Sequence, residues 1–233
     1  MARFASPPKA AYTLRVLAHL LRYPDAGLRE HLGELRDALR AEAALGASRL
    51  AELDALIDRL RTQPALRAEA DYVETFDRGR RCALHLFEHV HGDSRDRGQA
   101  MIDLARSYES AGLLMTPGEL PDFLPVVLEF ASTQPPAQAR EFLGETAHLV
   151  RAIFSALLAR RSAYASVLAA VLDLAGEKAE PVALPDEPDL DEAWAEPEAF
   201  AGCSTAGQQR PDAARPVHVT RHKSSVPTEG VQA

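Results

Sequence analysis

Cysteine is nearly missing from this chain: two residues, Cys82 and Cys203, lie far apart in a sequence of 233. That excludes a disulfide framework or a cysteine-rich metal centre as the organising principle. The opening MARFASPPKA lacks the apolar core of a secretory signal. No stretch reads as the roughly 20 apolar residues of a spanning helix. Alternating β-branched runs are absent, so no sheet is expected. There is no glycine-rich phosphate loop, no dinucleotide fingerprint, and no G-x-S-x-G around Ser94 or Ser204. A net charge of -8 with a pI near 5.5 argues against a general nucleic-acid binder. The expectation is a cytoplasmic protein without direct membrane insertion.

What is present is helical periodicity. Tyr12, Val16, Leu17, Leu20 and Leu21 predict a first helix, ended by Tyr23-Pro24 because the residue before proline is pushed out of the α region. Leu28, Leu32, Leu35 and Leu39 stripe a second helix, and Leu50, Leu53, Leu56, Ile57 and Leu60 a third that stops before Pro64. Tyr72, Val73 and Phe76 form the next apolar patch. Leu84, Phe87 and Val90 predict a helix face ending near Gly92, followed by a Gly92-Asp93-Ser94 turn in which Asp93 or Ser94 caps the following helix. That helix turns Met101, Ile102, Ala105 and Tyr108 inward and stops at Gly112. Pro117-Gly118 makes another turn. Pro121 is placed near a helix start, and Pro125 fits only within a first turn. The longest helix is expected from Ala137 to Arg160, with Phe142, Leu149, Ile153, Phe154, Leu157 and Leu158 inward, and a last one ends at Gly176. The sum is an all-α single-domain bundle over 11–176, after a flexible stretch at 1–10.

Beyond it, residues 177–198 hold nine acidic side chains against one lysine, with four prolines, a composition that resists collapse. Leu190, Trp194 and Phe200 lie in this acidic segment, 177–200, and Trp194 either docks or stays exposed. Residues 201–233 are expected to be disordered.

Three groups carry possible chemistry. His85-Leu86-Phe87-Glu88-His89 matches H-x-x-E-H, in which two histidines one helical turn apart bind zinc with the glutamate as base. The third ligand would have to come from Glu119, Glu129 or Glu141, none with a distinguishing context. The bland reading is core or surface histidines. The run from Glu88 to Gln99 packs both signs of charge into one link: Arg95 and Arg97 suit carboxylates, while Asp93 and Asp96 suit basic groups. It reads equally as a local network or as a binding surface. Arg78, Arg80 and Arg81 form a basic cluster, either an anion site or a solvated face, and Cys82 reads as a small core residue.

These residues carry a resemblance to a known family. Tyr72-Val73 with Phe76-Asp77-Arg78-Gly79, LHLFEHVHGDSRDRGQAM from Leu84, and Glu119-Leu120-Pro121-Asp122-Phe123-Leu124-Pro125 with Leu128-Glu129-Phe130 resemble the NarJ family of nitrate reductase assembly chaperones. LRVLAHLLRYPD from Leu14, and Asp191-Glu192-Ala193-Trp194, are similar too, so the resemblance spans roughly 12–200. It implies the all-helical redox-enzyme maturation chaperone fold and a cytoplasmic protein with no catalytic residues, no cofactor and no metal. The implied partner is the immature catalytic (alpha) subunit of respiratory nitrate reductase, including its N-terminal segment, with molybdenum cofactor delivery proteins as further candidates. The implied role is to hold that subunit competent for cofactor insertion and iron–sulfur completion and to delay its membrane docking. The implied peptide contacts are Tyr72, Phe76, Glu88, His89, His91, Asp93, Arg95 and Asp96. A zinc hydrolase using His85, Glu88 and His89, or a non-catalytic helical adaptor, are the competing classes.

Overall fold

The computed structural model describes residues 9–90, 96–116 and 118–184, all within one compact unit, Met1–Pro185. His91, Asp93, Arg95, the cap expected from Asp93 or Ser94, the Pro117 turn and the tail with Trp194 lie outside the described residues. Among the described residues, eight α-helices run in order: α1 Ala11–Leu20, α2 Ala26–Glu42, α3 Ala47–Thr62, α4 Ala65–Phe76, α5 Asp96–Ser110, α6 Leu124–Thr133, α7 Pro136–Ala159 and α8 Ala165–Ala175. Among the described residues the only extended pairing is a single bridge between His85 and Phe123. The fold is all-α.

Local chemistry sets the breaks. Asp25 caps α2, its carboxylate accepting from the Leu28 amide at 2.8 Å. Asp25→Ala is expected to cost about 1 kcal/mol in urea unfolding. Gln63 is extended before Pro64, the conformation that a following proline favours. Pro125 does lie in the first turn of α6, where its missing N–H costs nothing, whereas Pro121 stands in the loop before it. The Glu42 carboxylate accepts from the Tyr12 and Thr13 amides, so the end of α2 caps the start of α1.

Three helices close with the same paired bonds at their C-termini. In α5 and α8 the left-handed residue is glycine, Gly112 or Gly176. In α7 it is Arg161, at φ 54°, with the Ser162 amide bonded to the Leu157 carbonyl at 2.9 Å. A side chain there carries a steric cost that glycine avoids.

α8 is buried nearly all round, with Val167 through Leu172 inaccessible, and it packs on α7, α3 and α1. A helix apolar on every side belongs at the centre of a core. α1 packs on α6 and α2, burying Leu17, Ala18, Leu20 and Leu21. α7 is long and apolar enough to cross a membrane by length and composition alone, unlike the sequence expectation. Its apolar residues Ala147, Val150, Ile153, Phe154 and Leu157 are instead buried in the core, although Leu158 faces out. The acidic segment starts docked: Ala179 and Leu184 pack on the core, and the Val182 amide donates to Ser155 Oγ at 3.0 Å.

Two further expectations fail. Residues 84–90 are not a helix; short 3-10 turns at Arg80–Cys82 and Leu86–Glu88 replace it. The Leu86 amide donates to the Asp122 carbonyl and the Leu124 amide to the Leu84 carbonyl, so the ladder runs across the chain. Leu84 and Leu86 are both buried with half-buried His85 between them, a period of two rather than 3.6. Second, α5 buries only Tyr108; Met101 and Ala105 are half-buried, and Ile102 is 48% exposed.

Candidate functional site

The link between α4 and α5 and the loop before α6 form one structure. Its pin is Asp122, a carboxylate with 0% exposure. It accepts from the Phe87 amide at 3.1 Å and faces His85 Nδ1 at 3.4 Å, with Arg97 at 3.9 Å. A buried carboxylate without such partners would be costly to the fold. The same loop is held from two further sides. Tyr108 donates its hydroxyl to the Pro121 carbonyl at 2.9 Å, and Arg22 reaches Glu119 at 2.9 Å and Glu129 at 3.0 Å. Burial pushes the Tyr108 phenol up, so it stays a donor.

The histidines serve this scaffold. His85 stacks on Phe123 with ring centroids 5.1 Å apart. His89 Nε2 lies 2.9 Å from the Ala83 carbonyl, which only accepts, so this nitrogen carries the proton. The helical turn that H-x-x-E-H chemistry requires is absent, and Glu119 and Glu129 are both engaged by Arg22. Among the described residues no three His, Cys, Asp or Glu side chains form a group able to hold a metal ion.

Of the residues singled out in the sequence, Glu88, His89 and Asp96 lie on this link. Glu88 pairs with Arg97 at 3.5 Å, and Asp96 opens α5 with its side chain exposed. Tyr72 and Phe76 are elsewhere. Both are buried in an aromatic cluster with Tyr164, and Tyr72 also meets Tyr23 and donates to the Leu21 carbonyl at 2.7 Å. Sequence reasoning passed over Asp122 as a structural centre. Its signal was a lone carboxylate inside the apolar run Leu120-Pro121-Asp122-Phe123-Leu124.

Four apolar side chains on α5 and its flanks are exposed. Val90 is 53% exposed and Leu114 87%, and Ile102 and Leu120 are also open to solvent. α5 therefore presents side chains that the bundle does not cover.

Residues 21–170 match the family described as nitrate reductase delta subunit. The chain is 40% identical over 215 residues to the nitrate reductase molybdenum cofactor assembly chaperone NarJ of Escherichia coli (strain K12), covering 84% of this chain and 91% of that one. The chain belongs to the NarJ family of redox-enzyme maturation chaperones. A second relative is the probable nitrate reductase molybdenum cofactor assembly chaperone NarW of the same strain, 39% identical over 163 residues, 70% of this chain and 68% of that protein. The crystal structure of a putative redox enzyme maturation protein from Archaeoglobus fulgidus shares the fold, with a TM-score of 0.51 and 18% identity over 76% of this chain and 100% of that one. Membership carries the family's general role, a chaperone in nitrate reductase molybdenum cofactor assembly.

Proposed function

We propose that the chain binds the immature catalytic (alpha) subunit of respiratory nitrate reductase, through segments that include that subunit's N-terminus. It holds the subunit competent for molybdenum cofactor insertion and iron–sulfur completion, delays its docking at the membrane, and performs no catalysis of its own. It acts in the cytoplasm beside molybdenum cofactor delivery proteins. The observation that carries this reading is the uncovered apolar set Val90, Ile102, Leu114 and Leu120 on α5 and its flanks. An amphipathic helix laid on such a surface buries its apolar side. The mixed-sign rim of Glu88, His89, Asp96 and Arg97, with His91, Asp93 and Arg95 in the same stretch of sequence, would set its orientation. Tyr72 and Phe76 would act from inside the bundle, as supports.

Calorimetric titration with a synthetic peptide from the N-terminus of the cognate catalytic subunit tests the site. Ile102→Glu is expected to weaken binding at least tenfold, about 1.4 kcal/mol. Its folding stability should stay within about 0.5 kcal/mol of the parent, because the residue is half exposed. Glu88→Ala and His89→Ala should weaken binding as well. Unchanged affinity in all three variants would remove the α4–α5 link as the site, and no binding by the parent chain would move recognition to a folded region of the client.

A further inference from the structure

Leu120, 44% exposed, stands in the loop before α6, and the residues on either side of it are each tethered from elsewhere. On one side, Tyr108 of α5 donates to the Pro121 carbonyl at 2.9 Å. On the other, Arg22, just past the end of α1, donates through Nη1 to Glu119 at 2.9 Å. The same guanidinium donates through Nη2 to Glu129 of α6 at 3.0 Å. The backbone bonds beside Leu120 are short-range: the Glu119 amide to the Thr116 carbonyl, and the Phe123 amide to the Leu120 carbonyl, both at 3.1 Å. They shape turns within the loop and do not join it to the bundle.

Arg22 therefore spans three places: the α1–α2 link, the loop and α6. Its planar fork gives one nitrogen to each carboxylate, which the point charge of a lysine cannot copy. Arg22, Glu119 and Glu129 are all part-exposed, so these pairs add little to global stability. Their effect is on geometry. Without the cation, Glu119 and Glu129 face each other as like charges and repel. Glu119 then carries the adjoining Leu120 away from α6.

We propose that Arg22 is a positioning residue of the client surface. By neutralising Glu119 and Glu129 together, it holds Leu120 where the apolar side of a client helix meets it. Arg22 acts through Leu120 and does not itself touch the client. A contact residue fixed before binding lowers the ordering cost of the complex. The inference rests on the client reading above.

The test uses the full chain, titrated with the same peptide from the catalytic subunit and followed by hydrogen exchange. The variants are Arg22→Met, Leu120→Ala, the two combined, and Arg22→Met with Glu119→Gln and Glu129→Gln. Arg22→Met and Leu120→Ala should each weaken binding about tenfold. The combined variant should bind within about twofold of Leu120→Ala, because a residue that acts through another adds no separate loss. In Arg22→Met, amides of residues 118–121 should exchange roughly tenfold faster while α8 keeps the parent rate, since the change is a local opening. The two glutamines remove the repulsion, so they should restore affinity to within about threefold of the parent.

Parent-like exchange at 118–121 in Arg22→Met overturns the proposal, and so do additive losses in the combined variant. Failure of the glutamines to restore affinity also overturns it, because Arg22 would then contact the client directly. Parent-like affinity in Leu120→Ala is the distinct outcome that removes Leu120 from the client surface, and the proposal with it.

Discussion

Asp122→Ala is expected to destabilise the chain by about 3 kcal/mol, the cost of breaking a buried, hydrogen-bonded charge network. The carboxylate ties both the Phe87 amide and His85 to the loop before α6. Without it, the Phe87 amide loses this acceptor and, among the described residues, Arg97 keeps Glu88. A domain of this size loses about 2–4 °C for each kcal/mol, so the melting temperature should fall by roughly 6–12 °C. Asp122→Asn, which keeps one acceptor oxygen, should lose about half as much. Calorimetric melting of both variants checks this. A fall of under 2 °C for the alanine variant would mean that the backbone bonds Leu86 to Asp122 and Leu124 to Leu84 hold the link by themselves.

Tyr72→Ala should cost about 4 kcal/mol, as removal of a large buried aromatic does. The ring contacts Phe76 at 4.8 Å, Tyr23 at 5.6 Å and Tyr164 at 6.0 Å between centroids, so its loss opens a cavity shared by three neighbours. Tyr72→Phe keeps the ring and removes only the bond to the Leu21 carbonyl at the end of α1, at about 1 kcal/mol. Equilibrium urea unfolding of the two gives the split. It also locates the residue functionally. With the ring retained, the phenylalanine variant should bind the client peptide as the parent does, because Tyr72 is buried beneath the surface. A large affinity loss in that variant would mean that the hydroxyl reaches the client after a local opening.

The α5 helix illustrates how an apolar pattern divides between core and surface. Met101, Ile102, Ala105 and Tyr108 recur at helical spacing, and a helix forms there. Spacing reveals that a face exists but not what covers it. Tyr108 is anchored by Phe130 at 4.5 Å and by the Pro121 carbonyl, while Ile102 meets solvent. The same limit applied to Leu158, which continues the apolar side of α7 yet lies exposed past its buried stretch.

The sequence by itself determined the helices whose signals are local: Tyr23-Pro24 and Gln63-Pro64 as stops, Pro125 in a first turn and Gly176 as a close. Each acts within four or five residues, so no distant contact was needed to read it. The family was legible as well, because the run from Leu84 to Met101 carries its residues in order. Only the tertiary structure decided the fate of residues 84–90, whose backbone groups bond to 122–124 rather than along a helix. It alone turned His85 and His89 from apparent ligands into props of the link, and made Asp122 its centre. It also brought Arg22 to Glu119 and Glu129. Such pairings span tens of residues, and hydrogen bonds made at that range override the local period because a buried amide must find its acceptor wherever the fold provides one.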